Sequence, residues 1–200
     1  MMPTPDRRAS IADAAIEIIA AQGIRALTHR AVDSALDLPA GSASYYFRTK
    51  RALLEGIVDR IAARSRADFL TGGFESVDLG DPIAVARANA IWLDRLLARR
   101  RNQLIARHAL IIDLRSDAEL HDRLARSLFS IEHARKLFEH MGFADPINAA
   151  ADFIALLEGA VFDRFAGARA QLSTGTPDSV DQLTRLLTPF LAHQGQPRSL

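Results

Sequence analysis

The stretch from Leu27 to Leu54, LTHRAVDSALDLPAGSASYYFRTKRALL, constrains this chain more than any other. It holds two short helical patterns separated by Asp37-Leu38-Pro39, then an aromatic cluster, then a further helix start at Thr49-Lys50. Thr28 can cap the free amides of the first pattern, and Leu27 and Val32 flank it as a hydrophobic staple. The second pattern, from about residue 40 to 47, has small residues at its N-terminus. Such a helix fits a major groove about 12 Å wide, with its first residues nearest the base edges. The layout is that of a helix-turn-helix DNA reader.

The rest of the chain is punctuated for helices. Asp81-Pro82, Asp145-Pro146 and Thr176-Pro177 each set a capping side chain before a proline at the first helical position. Ser116 and Glu119 have the spacing of a capping box, and Gly23, Gly142 and Gly175 fall where helices end. No segment alternates with period two over several residues. The expected class is therefore all-α with about nine helices. A helix-turn-helix domain over 1–54 precedes a larger helical regulatory and dimerisation domain over 55–192, and 193–200 form a disordered tail. In the body, helices are expected at about 82–100, 102–115, 117–141, 145–169 and 177–192.

Net charge is only +1, so contacts to nucleic acid must come from a local surface, not from a basic tail. The chain has no cysteine, which excludes disulfides and thiol chemistry. No secretory apolar region and no apolar run near eighteen residues is present, so a cytoplasmic location without a membrane partner is expected. No cofactor motif and no set of metal ligands at matched spacing is found.

The candidate DNA-binding residues are Thr28, His29, Arg30, Gly41, Ser42, Ser44, Tyr45, Tyr46 and Lys50. Gly41 lets the backbone come close, and Ser42 and Ser44 can bond to base edges or phosphate. Tyr45 and Tyr46, the only tyrosines, diverge by roughly 100° on a helix, so one can pack while the other reaches out. Thr28 and His29 open one helix and Lys50 opens another, where dipole and free amides attract phosphate. Arg7 and Arg8 could reach the neighbouring backbone.

Residues 8–60 resemble the N-terminal domain of the TetR family of bacterial transcriptional regulators. The resemblance rests on Thr28, Val32, Ala35, Gly41, Ser42, Tyr45, Tyr46, Phe47, Thr49, Lys50 and Leu53, in the family's order and spacing. Asp37 stands where the turn normally has glycine, Pro39 replaces a serine cap, and Ser44 replaces the first of the customary aromatics. The resemblance implies an operator-binding repressor that holds a small-molecule effector in its body. Phe69, Phe74, Trp92, Phe129 and Phe162 are candidate apolar walls for that effector, with Arg107, His108 and His133 as candidate polar groups.

The segment from about 145 to 168 is apolar nearly all round, with a small-residue stripe at Ala151, Ala155 and Gly159. With Leu183, Leu187 and Phe190 of the last helix it is expected to form a homodimer interface about a two-fold axis. A dimer would present two readers to successive major grooves roughly 34 Å apart. Two other readings stand beside this one. One is a protein-interaction module that keeps the reader fold without using DNA. The other is a helical metal enzyme built on His108, Asp113, His121, Asp122, His133 and His140.

Overall fold

The computed structural model describes residues 6–192; the expected disordered tail lies outside them. Ten α-helices follow in order: α1 Arg7–Gln22, α2 His29–Ala35, α3 Ser42–Tyr46, α4 Lys50–Leu70, α5 Pro82–Arg99, α6 Arg101–Asp113, α7 Ala118–Ala125, α8 Ile131–His140, α9 Pro146–Ala166 and α10 Pro177–Ala192. The described residues contain no strand, so the all-α class holds.

The tenth helix arises because the segment expected as one helix over 117–141 is two. The buried Arg107 guanidinium donates to the Leu124 and Ala125 carbonyls at 3.3 and 3.0 Å, satisfying the end of α7. Ser130 then accepts from the His133 amide at 3.3 Å and starts α8. The other caps act locally. Asp81, Asp145 and Thr176 accept from Ile83, Asn148 and Ser179 amides at 2.8, 3.1 and 3.2 Å. The cap of α7 is Asp117, bonded to the Leu120 amide at 3.3 Å, and not the expected Ser116.

The chain divides into two compact units, and neither is continuous in sequence. The first comprises the described residues up to Ala67 together with Arg101–Leu128; the second holds Asp68–Arg100 and the described residues from Phe129. The division therefore falls away from the boundary expected at residue 54. In the first unit α6 packs along α1, and Ala106, Leu110, Leu114, Leu120 and Leu124 join Ile11, Ile16, Val32, Phe47 and Ile57 in one core. Arg51 pairs with Asp117 and with Glu119, and Arg123 with Asp59. These pairs link α4 to α7 and its start.

In the second unit α10 packs along α5 and α8 along α9. Leu183 and Leu187 are fully buried within this single protomer. They cannot supply the expected dimer interface, because the apolar face of α10 is already used against α5. Phe190 also turns inward, its ring 5.6 Å from Phe153 and 5.8 Å from Phe138. A buried polar network ties three helices. Asp94 accepts from the Ser179 hydroxyl at 2.5 Å and the Gly175 amide at 3.0 Å, and the Arg164 guanidinium donates to Ser179 at 2.6 Å. Burial pushes the Arg164 guanidinium below its ordinary pKa, against the opposing pull of the Asp94 charge.

Candidate nucleic-acid interface and ligand cavity

The reader begins at Thr28, whose hydroxyl accepts from the Ala31 amide at 3.0 Å and sets α2. Asp37 carries the chain through the turn at φ 50°, a left-handed conformation that aspartate tolerates. Pro39 leaves α3 without the serine cap, and Asp33 of α2 takes over that function. Its buried carboxylate accepts from the Gly41 and Ala43 amides at 2.8 and 2.7 Å. The two helices are thus locked together by one side chain. Gly41 stands at φ 92°, which a side chain would strain.

The far end of α3 is pinned as firmly. Phe47 is buried, the His29 imidazole donates through Nε2 to its carbonyl at 2.6 Å, and the Arg8 guanidinium lies 4.3 Å from its ring centroid. Arg8 also donates to the Tyr46 carbonyl at 2.7 Å. The side chains of His29 and Arg8 therefore act as braces on the end of α3, the former half-buried and the latter exposed.

The outward face of the reader belongs to others. Tyr45 is 80% exposed. Tyr46 is half-buried against the core and meets Tyr45 edge-on at 5.2 Å. Ser44 is half-buried, and the Ser42 hydroxyl donates to the Pro39 carbonyl at 2.6 Å. Around them, Arg30, Arg48 and Lys50 are exposed, and none forms an ion pair with the described carboxylates, whereas the neighbouring Arg51 is tied to three. Unpaired cations beside an exposed helix make a local positive surface on a nearly neutral chain. Arg48 was missed from sequence; its place between the aromatic cluster and Thr49-Lys50 was the available signal.

The second unit contains a cavity of about 400 Å³. Phe69, Phe74, Trp92, Phe129 and His133 all line it, joined by Asn89, Ser130, Lys136, His140 and Phe153 among others. Three residues assigned to a ligand from sequence do not. Arg107 is spent on the end of α7. His108 bonds through Nδ1 to the Leu104 carbonyl of its own helix at 2.8 Å. Phe162 is 49% exposed on α9. A fully buried arginine in an apolar sequence resembles a ligand group until its carbonyl partners, seventeen and eighteen residues away, are known.

On the outer side of α9, Ala151, Ala155, Gly159 and Phe162 are exposed. A shallow groove there runs past Ala155, Gly159 and Gln182 to the exposed Leu186 of α10. Among the described residues no group of three His, Cys, Asp or Glu side chains is placed to hold a metal ion. No helix of the described residues is long and apolar enough to cross a membrane.

Two family models match the chain. The one described as bacterial regulatory proteins, tetR family, covers residues 11–57. The one described as tetracyclin repressor-like, C-terminal domain, covers residues 80–192. No curated protein matches the sequence. Among solved structures, a TetR-family member from Streptomyces coelicolor A3 is similar at 24% identity, with 92% of this chain and 99% of that one covered and a TM-score of 0.68. A transcriptional regulator from Rhodococcus sp. Rha1 is similar at 16% identity, over 94% and 95% of the two chains, with a TM-score of 0.73. The multidrug binding protein EbrR, complexed with malachite green, is similar at 24% identity, over 93% and 98%, with a TM-score of 0.67.

Proposed function

This chain belongs to the TetR family of bacterial regulatory proteins, and from that premise we propose that it is a homodimeric repressor released from its operator by a small molecule. The family is one of transcriptional regulators and not of enzymes. The observation that carries the DNA-binding part is the reader itself: α3 is held from both ends by Asp33, His29 and Arg8, yet leaves Tyr45 and the unpaired Arg30, Arg48 and Lys50 facing outward. Thr28, Gly41, Ser42, Ser44 and Tyr46 complete the proposed contact surface.

The proposed dimer uses the exposed side of α9, with Ala151, Ala155, Gly159 and Phe162, and Leu186 of α10. Small residues four apart let a second α9 approach closely. The proposed effector site is the aromatic cavity of the second unit. A ligand that prefers one of two dimer conformations changes operator affinity by the ratio of its affinities for them.

The test is a duplex carrying the chain's own upstream region. Affinity should fall steeply with salt as phosphate contacts release counterions. Lys50→Ala should weaken all duplexes alike and flatten the logarithmic salt slope by about 0.9 for each phosphate that the lysine neutralises. Salt-independent or sequence-indifferent binding by the unaltered protein would overturn the operator reading.

A further inference from the structure

We infer that the occupant of the cavity is an organic acid, with an apolar aryl or alkyl body and a carboxylate or similar anionic end. The inference rests on the reading of this cavity as the effector site and adds the chemical class. The walls are apolar: Phe69, Phe74, Trp92, Phe129 and Phe153 with several aliphatic side chains. Its polar lining is Asn89, Ser130, His133, Lys136 and His140, and no described lining residue is a carboxylate.

Three of these groups lie on one helix. His133, Lys136 and His140 occupy positions i, i+3 and i+7 of α8, so they form a single strip along its cavity face. The Ser130 hydroxyl is 2.9 Å from His133 Nδ1, and Phe69 packs on the same imidazole at 4.7 Å. The ring is thereby fixed, leaving Nε2 as its remaining polar atom. Lys136 brings a positive charge to the strip. Among the described residues it pairs with Glu132 at 3.6 Å, a carboxylate held more closely by Arg135, whose Nε and Nη2 donate to it at 3.0 and 2.7 Å. Those bonds keep the Glu132 carboxyl at about 2. Glu132 does not line the cavity, so it offers a bound cation no partner there.

Aromatic walls can also hold a cation against their ring faces. Here the rings are engaged with one another: Phe69 with Phe74 at 5.5 Å, Trp92 with Phe74 and with Phe129 at 5.9 Å each. A cation would meet those engaged rings and a lysine, with no carboxylate among the described lining residues to offset its desolvation. An anion would meet donors and a positive charge at one end and apolar surface elsewhere, which is the arrangement that orients a ligand.

Trp92, the only tryptophan in the chain, lines the cavity and reports on it directly. The test titrates the full-length protein with ω-phenylhexanoate, ω-phenylhexanamide and ω-phenylhexylamine, which share a body and differ in end-group charge. Trp92 fluorescence and calorimetry read the binding. The acid should bind at least about tenfold more tightly than the amine. In the double variant Lys136→Met, His140→Leu, both exposed positions, that advantage should shrink to within about threefold while the amide binds as before. An amine that binds as tightly as the acid, or a preference that survives the double variant, overturns the inference and leaves the effector site standing. Failure of all three to bind overturns both, without touching the operator measurement.

Discussion

Gly56 illustrates how much of the reader depends on single atoms. It sits on α4 directly beneath the Phe47 ring, and a methyl group built there would stand 2.7 Å from Phe47 Cζ. The ring cannot yield easily, because Arg8 covers it and His29 holds its backbone. Alanine gains up to about 1 kcal/mol of helix propensity over glycine, but overpacking in a closed core costs about 1–3 kcal/mol. Gly56→Ala is therefore expected to lower stability in urea titrations and to weaken operator binding, since Phe47 ends α3. A variant with unchanged midpoint and affinity would show that the ring relocates freely. The sequence pattern marked Gly41 but not Gly56, whose need for space is set by a residue nine positions away. Asp33 was likewise hidden: as one acidic residue in α2 it had no signature. Its partners Gly41 and Ala43 become neighbours only after the turn forms.

Among the elements, α10 shows where amphipathic patterning misleads. Its apolar spacing correctly marked a helix with one buried face, yet Leu183 and Leu187 bury that face against the protomer's own α5. Periodicity reveals that a face is covered; it does not say by what. The join is reinforced by Asp94, 4% exposed, which receives bonds from Ser179 and Gly175 at the start of α10. Asp94→Ala would strand a buried hydroxyl and an amide and remove the charge that balances Arg164. The expected loss is at least about 3 kcal/mol, measurable by chemical denaturation at fixed protein concentration. Asp94→Asn should lose less, because it still offers an acceptor; equal losses would mean that the charge, and not the hydrogen bonds, holds the network.

For the whole molecule, the proposed assembly makes Gly159 the sharpest test position. A side chain there meets nothing within 4 Å in the single protomer, so Gly159→Arg should fold normally and gain helix propensity. On the proposed interface it would drive a charge between two close-packed helices. Sedimentation should then show monomers, and operator affinity should fall by about tenfold or more because the two half-sites are no longer engaged together. A dimeric, tightly binding variant would move the interface elsewhere. What the sequence determined alone was local: helix class, capping residues, the helix-turn-helix and its tyrosines, all written in the spacing of near neighbours along the chain. The tertiary structure decided which buried polar groups serve the fold and which remain open. That information lies in pairs such as Arg107 with Ala125 and Asp94 with Ser179, residues that chain spacing does not make neighbours. The same physics divided the molecule into two discontinuous units, because α6 and α7 bury their apolar faces in one core with α1 and α4, helices far from them in the chain.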